Sequence, residues 1–210
     1  MTAIVAIAGG TCSGKSTLAS TLVRLFPDDL TVLEEECFYP DRSLLSEDEI
    51  SAVNWDSIDS IDATEILDTL EQLALVGYAY VPAYNRNTHK RYYNDTTVVA
   101  SAVIALEGLH SITLLDRWRT AAKGVAELPV LRIFIDCPEA IRYDRRKTRE
   151  RAKATVPGNF ETYWTLSCEP TFQQEVLLQC DRADLVVRCP VEDDSLKMIS
   201  DWISITLHRL

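Results

Sequence analysis

The segment Gly9-Gly10-Thr11-Cys12-Ser13-Gly14-Lys15-Ser16-Thr17 fits the pattern G-x-x-x-x-G-K-[ST], and its surroundings constrain the fold more than any other feature of the chain. Before it, Ala3 to Ala8 (AIVAIA) is a short continuous apolar run, the mark of a strand buried on both faces. After it, Lys15 to Phe26 carries helical periodicity. A strand that turns through glycines into a helix is the setting in which this pattern cradles phosphate. Glycines allow close backbone approach, and the N–H groups at the helix N-terminus point at the anion. Lys15 is then expected to neutralise the β- and γ-phosphates of ATP, and the Ser16 hydroxyl to ligate Mg²⁺.

The rest of the chain extends this unit. Apolar runs recur at Leu30 to Leu33, Ser101 to Leu106, Leu131 to Ile135 and Leu185 to Val187. Helix-period segments lie at Ala63 to Val76, Pro138 to Arg151, Phe160 to Cys180 and Asp193 to His208. Strands alternating with helices predict an α/β fold, a parallel sheet covered on both faces. Tyr78 to Pro82 and Thr96 to Val99 read as a small hairpin excursion with Asn85 to Asn94 as its loop. The basic stretch that runs on into Ala152 to Asn159, with Pro157-Gly158, reads as a mobile loop. With 210 residues and 47% hydrophobic content, a single domain over residues 1–210 is expected.

Composition narrows the function. No apolar run reaches the roughly 18 to 20 residues that cross a bilayer, so a cytoplasmic protein is expected. The formal net charge of −11 argues against nucleic acid or anionic membrane as partners. Six cysteines without a C-x-x-C pair, and three separated histidines, signal neither a disulfide framework nor a zinc site. Charge is also unevenly placed. Asp28 to Asp68 holds fourteen acids against one Arg, and Arg142 to Lys153 holds seven basic residues against two acids. A cleft that handles polyphosphate and magnesium needs both signs.

No N-K-x-D or T-K-x-D guanine signature follows the glycine loop, and no L-S-G-G-Q transporter signature occurs. Val103 to Gly108 (VIALEG) places Glu107 at the carboxyl end of a strand, where ligands bind in such folds, which makes it the candidate acid for magnesium. Glu34-Glu35-Glu36-Cys37-Phe38-Tyr39 follows the second strand and can hold a general base. Asn54 to Asp62 (NWDSIDSID) can hold a hydroxyl-binding acid or helix N-caps.

Taken in order, these segments resemble the uridine kinase and nicotinamide riboside kinase group of the phosphoribulokinase-like P-loop kinases, from Ala3 to about Val187. GGTCSGKST is similar to the family P-loop, ECFY to D-x-[FY]-[FY], and NWDSIDSID to N-F-D-x-P-D-A-F-D. PAYNRNTHKR is similar to the loop P-x-Y-D-x-x-x-H-x-R, EGLH to the E-G segment, and IDCPEAIRYDRRKTRE to the strand and R-R-x-x-R lid helix. The resemblance implies a five-stranded parallel sheet in order 2-3-1-4-5, with a substrate-side hairpin (78–99) and a lid (142–160). It implies that Glu36, also near the metal, deprotonates the attacking 5′-hydroxyl of a small-molecule nucleoside. Asp56 would bind ribose hydroxyls, Tyr84 and His89 the pyrimidine, Arg146 the substrate side, and Arg149 the phosphates.

Two departures bear on the acceptor. Glu36 stands where the family has Asp, moving the carboxylate by one methylene, on the order of 1.5 Å. The lid lacks the further Arg-Gly-Arg run of uridine kinases, and RRKTRERAKATVPGNFETYW is similar to the nicotinamide riboside kinase lid. In that enzyme an aromatic beside the ribose-binding acid stacks on the nicotinamide ring, and Trp55 occupies that place. Uridine or cytidine is thus the first expectation, nicotinamide riboside the alternative. A weakly active nucleotide-binding regulator of the same fold and a kinase of a non-nucleoside stand behind them, and homo-oligomerisation stays open.

Overall fold

The structure is a computed structural model that describes residues 2–121, 127–153 and 159–210. Its strands are β1 (Ala3–Gly9), β2 (Leu30–Glu34), β3 (Tyr78–Asn85), β4 (Lys90–Val99), β5 (Val103–Glu107), β6 (Val130–Asp136) and β7 (Leu185–Arg188). Its helices are α1 (Lys15–Leu25), α2 (Glu47–Ala52), α3 (Ala63–Leu75), α4 (Ser111–Ala121), α5 (Glu139–Lys153), α6 (Phe160–Tyr163), α7 (Glu169–Thr171) and α8 (Asp193–Leu207).

Successive side chains of a strand point to opposite faces, so the unbroken apolar run of β1 must be covered twice. Ala3, Val5 and Ile7 join Leu18, Leu22, Ile199 and Ile203 of α1 and α8 on one face. Ile4, Ala6 and Ala8 join Ile66, Leu70, Leu115 and Trp118 of α3 and α4 on the other. The sheet runs β2-β5-β1-β6-β7 with every pairing parallel. Numbered without the hairpin strands, this is 2-3-1-4-5.

Strands β3 and β4 form a separate antiparallel ribbon. The ribbon is longer than its apolar pattern suggested. Asn85 pairs with Lys90, so the loop is residues 86–89 rather than Asn85 to Asn94. His89 closes it with a positive φ of 54°, a conformation in which histidine is several-fold enriched among non-glycine residues.

Two helices were absent from the sequence reading. Helix α2 is short but carries a full capping box between Ser46 and Glu49. Helix α4 buries Ile112, Leu114, Leu115 and Trp118. The helix expected over Phe160 to Cys180 is instead α6 and α7 joined by wide π turns at Trp164–Cys168 and Phe172–Val176, ending in a tight turn at Leu177–Arg182. Pro170 gives a reason for the first widening: it lacks an N–H and its ring crowds the carbonyl one turn earlier. The reading of Ala152 to Asn159 as a mobile loop falls largely on residues 154–158, outside the described residues.

Candidate active site

The glycine loop lies where β1 gives way to α1. Gly14 adopts φ 108° at the helix N-cap and offers no side chain, so the first N–H groups of α1 keep their hydrogen-bonding capacity for an anion. Gly9 has φ 148°, and a Cβ there would press on the Ile135 carbonyl and the Ser13 hydroxyl. Lys15 is buried and donates to the Gly9 and Gly10 carbonyls at 2.9 and 3.0 Å. Burial pulls its pKa below the usual lysine range, against the opposing pull of Glu107 and Glu35. Ser16 Oγ donates to Glu107 Oε2 at 3.3 Å, across the β1–β5 junction that the parallel register creates. Burial raises the Glu107 pKa, partly offset by Lys15.

The two acids after β2, Glu35 and Glu36, separate sharply. Glu35 is buried and accepts the His110 backbone N–H on both oxygens at 3.0 and 3.1 Å. Burial drives its pKa up to about 8, with the nearby Glu107 adding to the rise and the His110 N–H opposing it. Gly108 makes room for it, since a Cβ at that position would overlap the Glu35 carboxyl group. Glu36, expected to be the base and a metal neighbour, lines the open cleft. Its side chain is 48% exposed and pairs with Arg86 of the hairpin loop. Glu35, not Glu36, is the carboxylate packed toward Lys15 and Glu107.

Asp56 lies buried across the cleft. Tyr163 donates to its Oδ2 at 2.6 Å, and Arg146 Nη1 lies 3.4 Å from its Oδ1. Burial would raise its pKa, but the Arg146 charge and the Tyr163 hydrogen bond outweigh burial and hold it below the usual carboxylate value. Arg146, from α5, also donates to Thr11 Oγ1 at 2.5 Å and pairs through Nε with Glu150 at 2.7 Å. One guanidinium therefore ties the glycine loop to the acid expected to meet ribose. Arg149, one turn on, lines the cleft with Glu150 3.6 Å away.

Beside Asp56, aromatic groups gather from three segments. Trp55 meets Tyr39 edge-on at 5.4 Å and stacks on His89 at 5.0 Å with a 22° tilt. The Arg42 guanidinium lies 5.0 Å from the Trp55 ring centre. Tyr84 packs on Tyr39 at 5.3 Å, and its hydroxyl lies 3.4 Å from His89 Nδ1. Burial raises the Tyr84 pKa to about 12, and burial with the Arg42 charge lowers that of His89. Trp55 and His89, expected to report different acceptors, are thus one stacked unit.

The loop residues Thr11 to Thr17, with Glu36, Trp55, Asp56, Tyr84, His89, Glu107, Arg146 and Arg149, line one cleft of about 520 Å³. The sequence reading missed Glu35, Arg42, Arg86, Tyr163 and His110. Of these, Glu35 lies in the run of three acids, Arg86 within PAYNRNTHKR, His110 within EGLH and Tyr163 within the segment compared with the nicotinamide riboside kinase lid.

Sheet order, glycine loop and the arginines of α5 lining one cleft fit a P-loop kinase, a phosphotransferase that binds a nucleotide with a divalent metal. The chain belongs to the phosphoribulokinase / uridine kinase family, whose model matches residues 4–194. It is 31% identical over 192 residues to the uridine kinase of Vibrio vulnificus (strain YJ016), covering 88% of this chain and 85% of that one. It is equally 31% identical over 191 residues to the uridine kinase of Shewanella sp. (strain W3-18-1), at 88% and 86% coverage. In fold it is similar to phosphoribulokinase from Rhodobacter spheroides, with a TM-score of 0.60 at 14% identity, covering 89% of this chain and 70% of the other. A possible uridine kinase from Bacillus stearothermophilus superposes with a TM-score of 0.53 at 20% identity and 88% coverage of both.

Proposed function

We propose that this kinase transfers the γ-phosphoryl group of ATP to the 5′-hydroxyl of a pyrimidine ribonucleoside, uridine or cytidine. The observation that carries the reading is the buried Asp56, tied through Arg146 to the glycine loop and flanked by Trp55, His89 and Tyr84. A carboxylate accepts strongly from vicinal ribose hydroxyls, and the neighbouring rings offer a flat base both a stacking surface and polar edges.

The donor groups suit magnesium. Ser16 and Glu107 supply hard oxygens, and the described residues contain no group of three or more His, Cys, Asp or Glu that could hold a metal unaided. Ser16 and Glu107 would hold the cation, which would offset charge on the polyphosphate. In the transfer, the acceptor oxygen bonds to the γ-phosphorus and the bond from that phosphorus to the β-phosphate oxygen breaks, releasing ADP. The acceptor proton passes to the Glu36 carboxylate. Lys15, Arg146 and Arg149 line the path along which negative charge spreads. Glu36 is preferred to Glu35 for the role of base because its side chain is 48% exposed in the cleft, whereas Glu35 is buried.

Nicotinamide riboside fits less well. Its cationic ring would have to share Trp55 with Arg42 and His89. The test is turnover with ATP and Mg²⁺ over uridine, cytidine, nicotinamide riboside, ribulose 5-phosphate and pantothenate. Uridine and cytidine are expected to be phosphorylated at least tenfold more efficiently than the others. A preference for nicotinamide riboside would reverse the acceptor assignment, and ATP binding without transfer to any acceptor would favour a regulatory role.

A further inference from the structure

Arg86 has no place in the motifs that define the family resemblance. In PAYNRNTHKR it fills a position at which the pattern P-x-Y-D-x-x-x-H-x-R admits any residue. The fold nevertheless places it in the lining of the cleft that the glycine loop borders. It is the first residue of the short turn between β3 and β4, and its guanidinium pairs with Glu36, the candidate base. Lys15 and Arg86 share two charged neighbours, Glu107 and Arg149. The cation of the glycine loop and the cation of the hairpin line the same cleft.

That cleft is crowded with charge. Arg86 feels both Arg146 and Arg149, with Glu150 and Glu107 as the opposing acids. Lys15 and four arginines (Arg86, Arg145, Arg146 and Arg149) line the cleft together with five acids (Glu35, Glu36, Asp56, Glu107 and Glu150), and an anion brought near Arg86, Arg146 and Arg149 would relieve their mutual repulsion. The Arg86–Glu36 pair is the exposed member of the set, with side chains 33% and 48% accessible, so it is the pair most readily exchanged.

We infer that Arg86 is a catalytic residue that leaves Glu36 to contact the phosphoryl group in flight, while the released Glu36 carboxylate takes the acceptor proton. The exchange is balanced. As the acceptor O–H is deprotonated, its proton neutralises Glu36, which no longer holds a guanidinium. At the same moment negative charge grows on the phosphoryl oxygens and the β-phosphate, and Arg86 follows it. The planar fork of arginine suits two oxygens of one phosphoryl group.

The inference rests on the kinase reading proposed above, and two measurements keep the two apart. The first is steady-state kinetics of Arg86→Ala and Arg86→Lys with the acceptor that the screen identifies. Arg86→Ala is expected to lower kcat by about 10²- to 10³-fold, with the KM for ATP little changed, Arg86→Lys intermediate, and added guanidinium restoring part of the loss. The second is equilibrium binding of ADP with Mg²⁺ and fluoroaluminate, a mimic of the transferring phosphoryl group that needs no acceptor. Arg86→Ala is expected to weaken this ternary species about as much as it lowers kcat, while binding ADP alone like the unaltered protein. An unchanged fluoroaluminate affinity overturns the inference whether or not any nucleoside is a substrate. An increase in kcat also overturns it, since Arg86 would then be a clamp on Glu36. Failure of every nucleoside in the screen, with the fluoroaluminate difference intact, would sink the acceptor reading and leave Arg86 in place.

Discussion

The donor half of the cleft is made of backbone, the acceptor half of side chains. Around the glycine loop the working groups are main-chain N–H groups, carbonyls held by Lys15, and one hydroxyl facing one acid. Across the cleft the groups are Asp56, Trp55, Tyr84 and His89, brought in from two segments that meet only in the folded chain, while the Arg86–Glu36 pair lies at the boundary. A backbone cradle tolerates little change, because it depends on φ angles such as those of Gly9 and Gly14. A side-chain cluster can be revised one residue at a time. The same contrast implies that substitutions on the donor side abolish chemistry with any acceptor, whereas those on the acceptor side change which molecule is used.

The largest expected effect sits at the boundary between the halves. Glu36→Gln keeps the shape but cannot take a proton, and turnover should fall about 10²- to 10⁴-fold while ATP affinity holds. Single-turnover kinetics checks this, with Glu35→Gln measured alongside. If Glu35→Gln alone destroyed the chemical step, the base would belong to the buried donor side and the division drawn here would fail.

Next in size is Lys15→Ala, expected to reduce turnover about 10²- to 10³-fold with every acceptor accepted by the unaltered enzyme. Circular dichroism should show the fold retained. A loss confined to one acceptor would break the comparison.

The smallest effect sharpens it. Trp55→Ala and His89→Ala should each raise the acceptor KM, and because the rings stack, the double variant should lose less than the sum. An aromatic contact of about 0.5–1.5 kcal/mol corresponds to a coupling of roughly 2- to 12-fold in affinity. Independent, additive losses would mean that the stack opens before the acceptor enters.

These differences also explain what could be read in the sequence. The five-stranded sheet was legible because every core strand is a short apolar run, and the phosphate loop because its geometry is encoded in contiguous residues. The ribbon was underestimated because Lys90–Val99 (KRYYNDTTVV) is held by cross-strand pairing and shows no clear apolar alternation. Helix α4 was overlooked despite an apolar face at Ile112, Leu115 and Trp118. Among the acids after β2, nothing local distinguished Glu35 from Glu36. What separates them is the missing side chain at Gly108, more than seventy residues away in sequence. Tyr163 was equally out of reach, since its contact with Asp56 spans 107 residues.

The pairing of Asn85 with Lys90 confines the turn to four residues, and that turn carries both Arg86 and His89. On the roles proposed above, charge at the reacting centre and the surface beside the acceptor ring would both be carried by this one turn with fixed ends. Exchanging its four residues would then be a way to re-address the scaffold to another acceptor. The turn also marks where an inhibitor would gain selectivity among enzymes with near-identical nucleotide loops: by touching residues 86–89, and leaving the phosphate cradle alone.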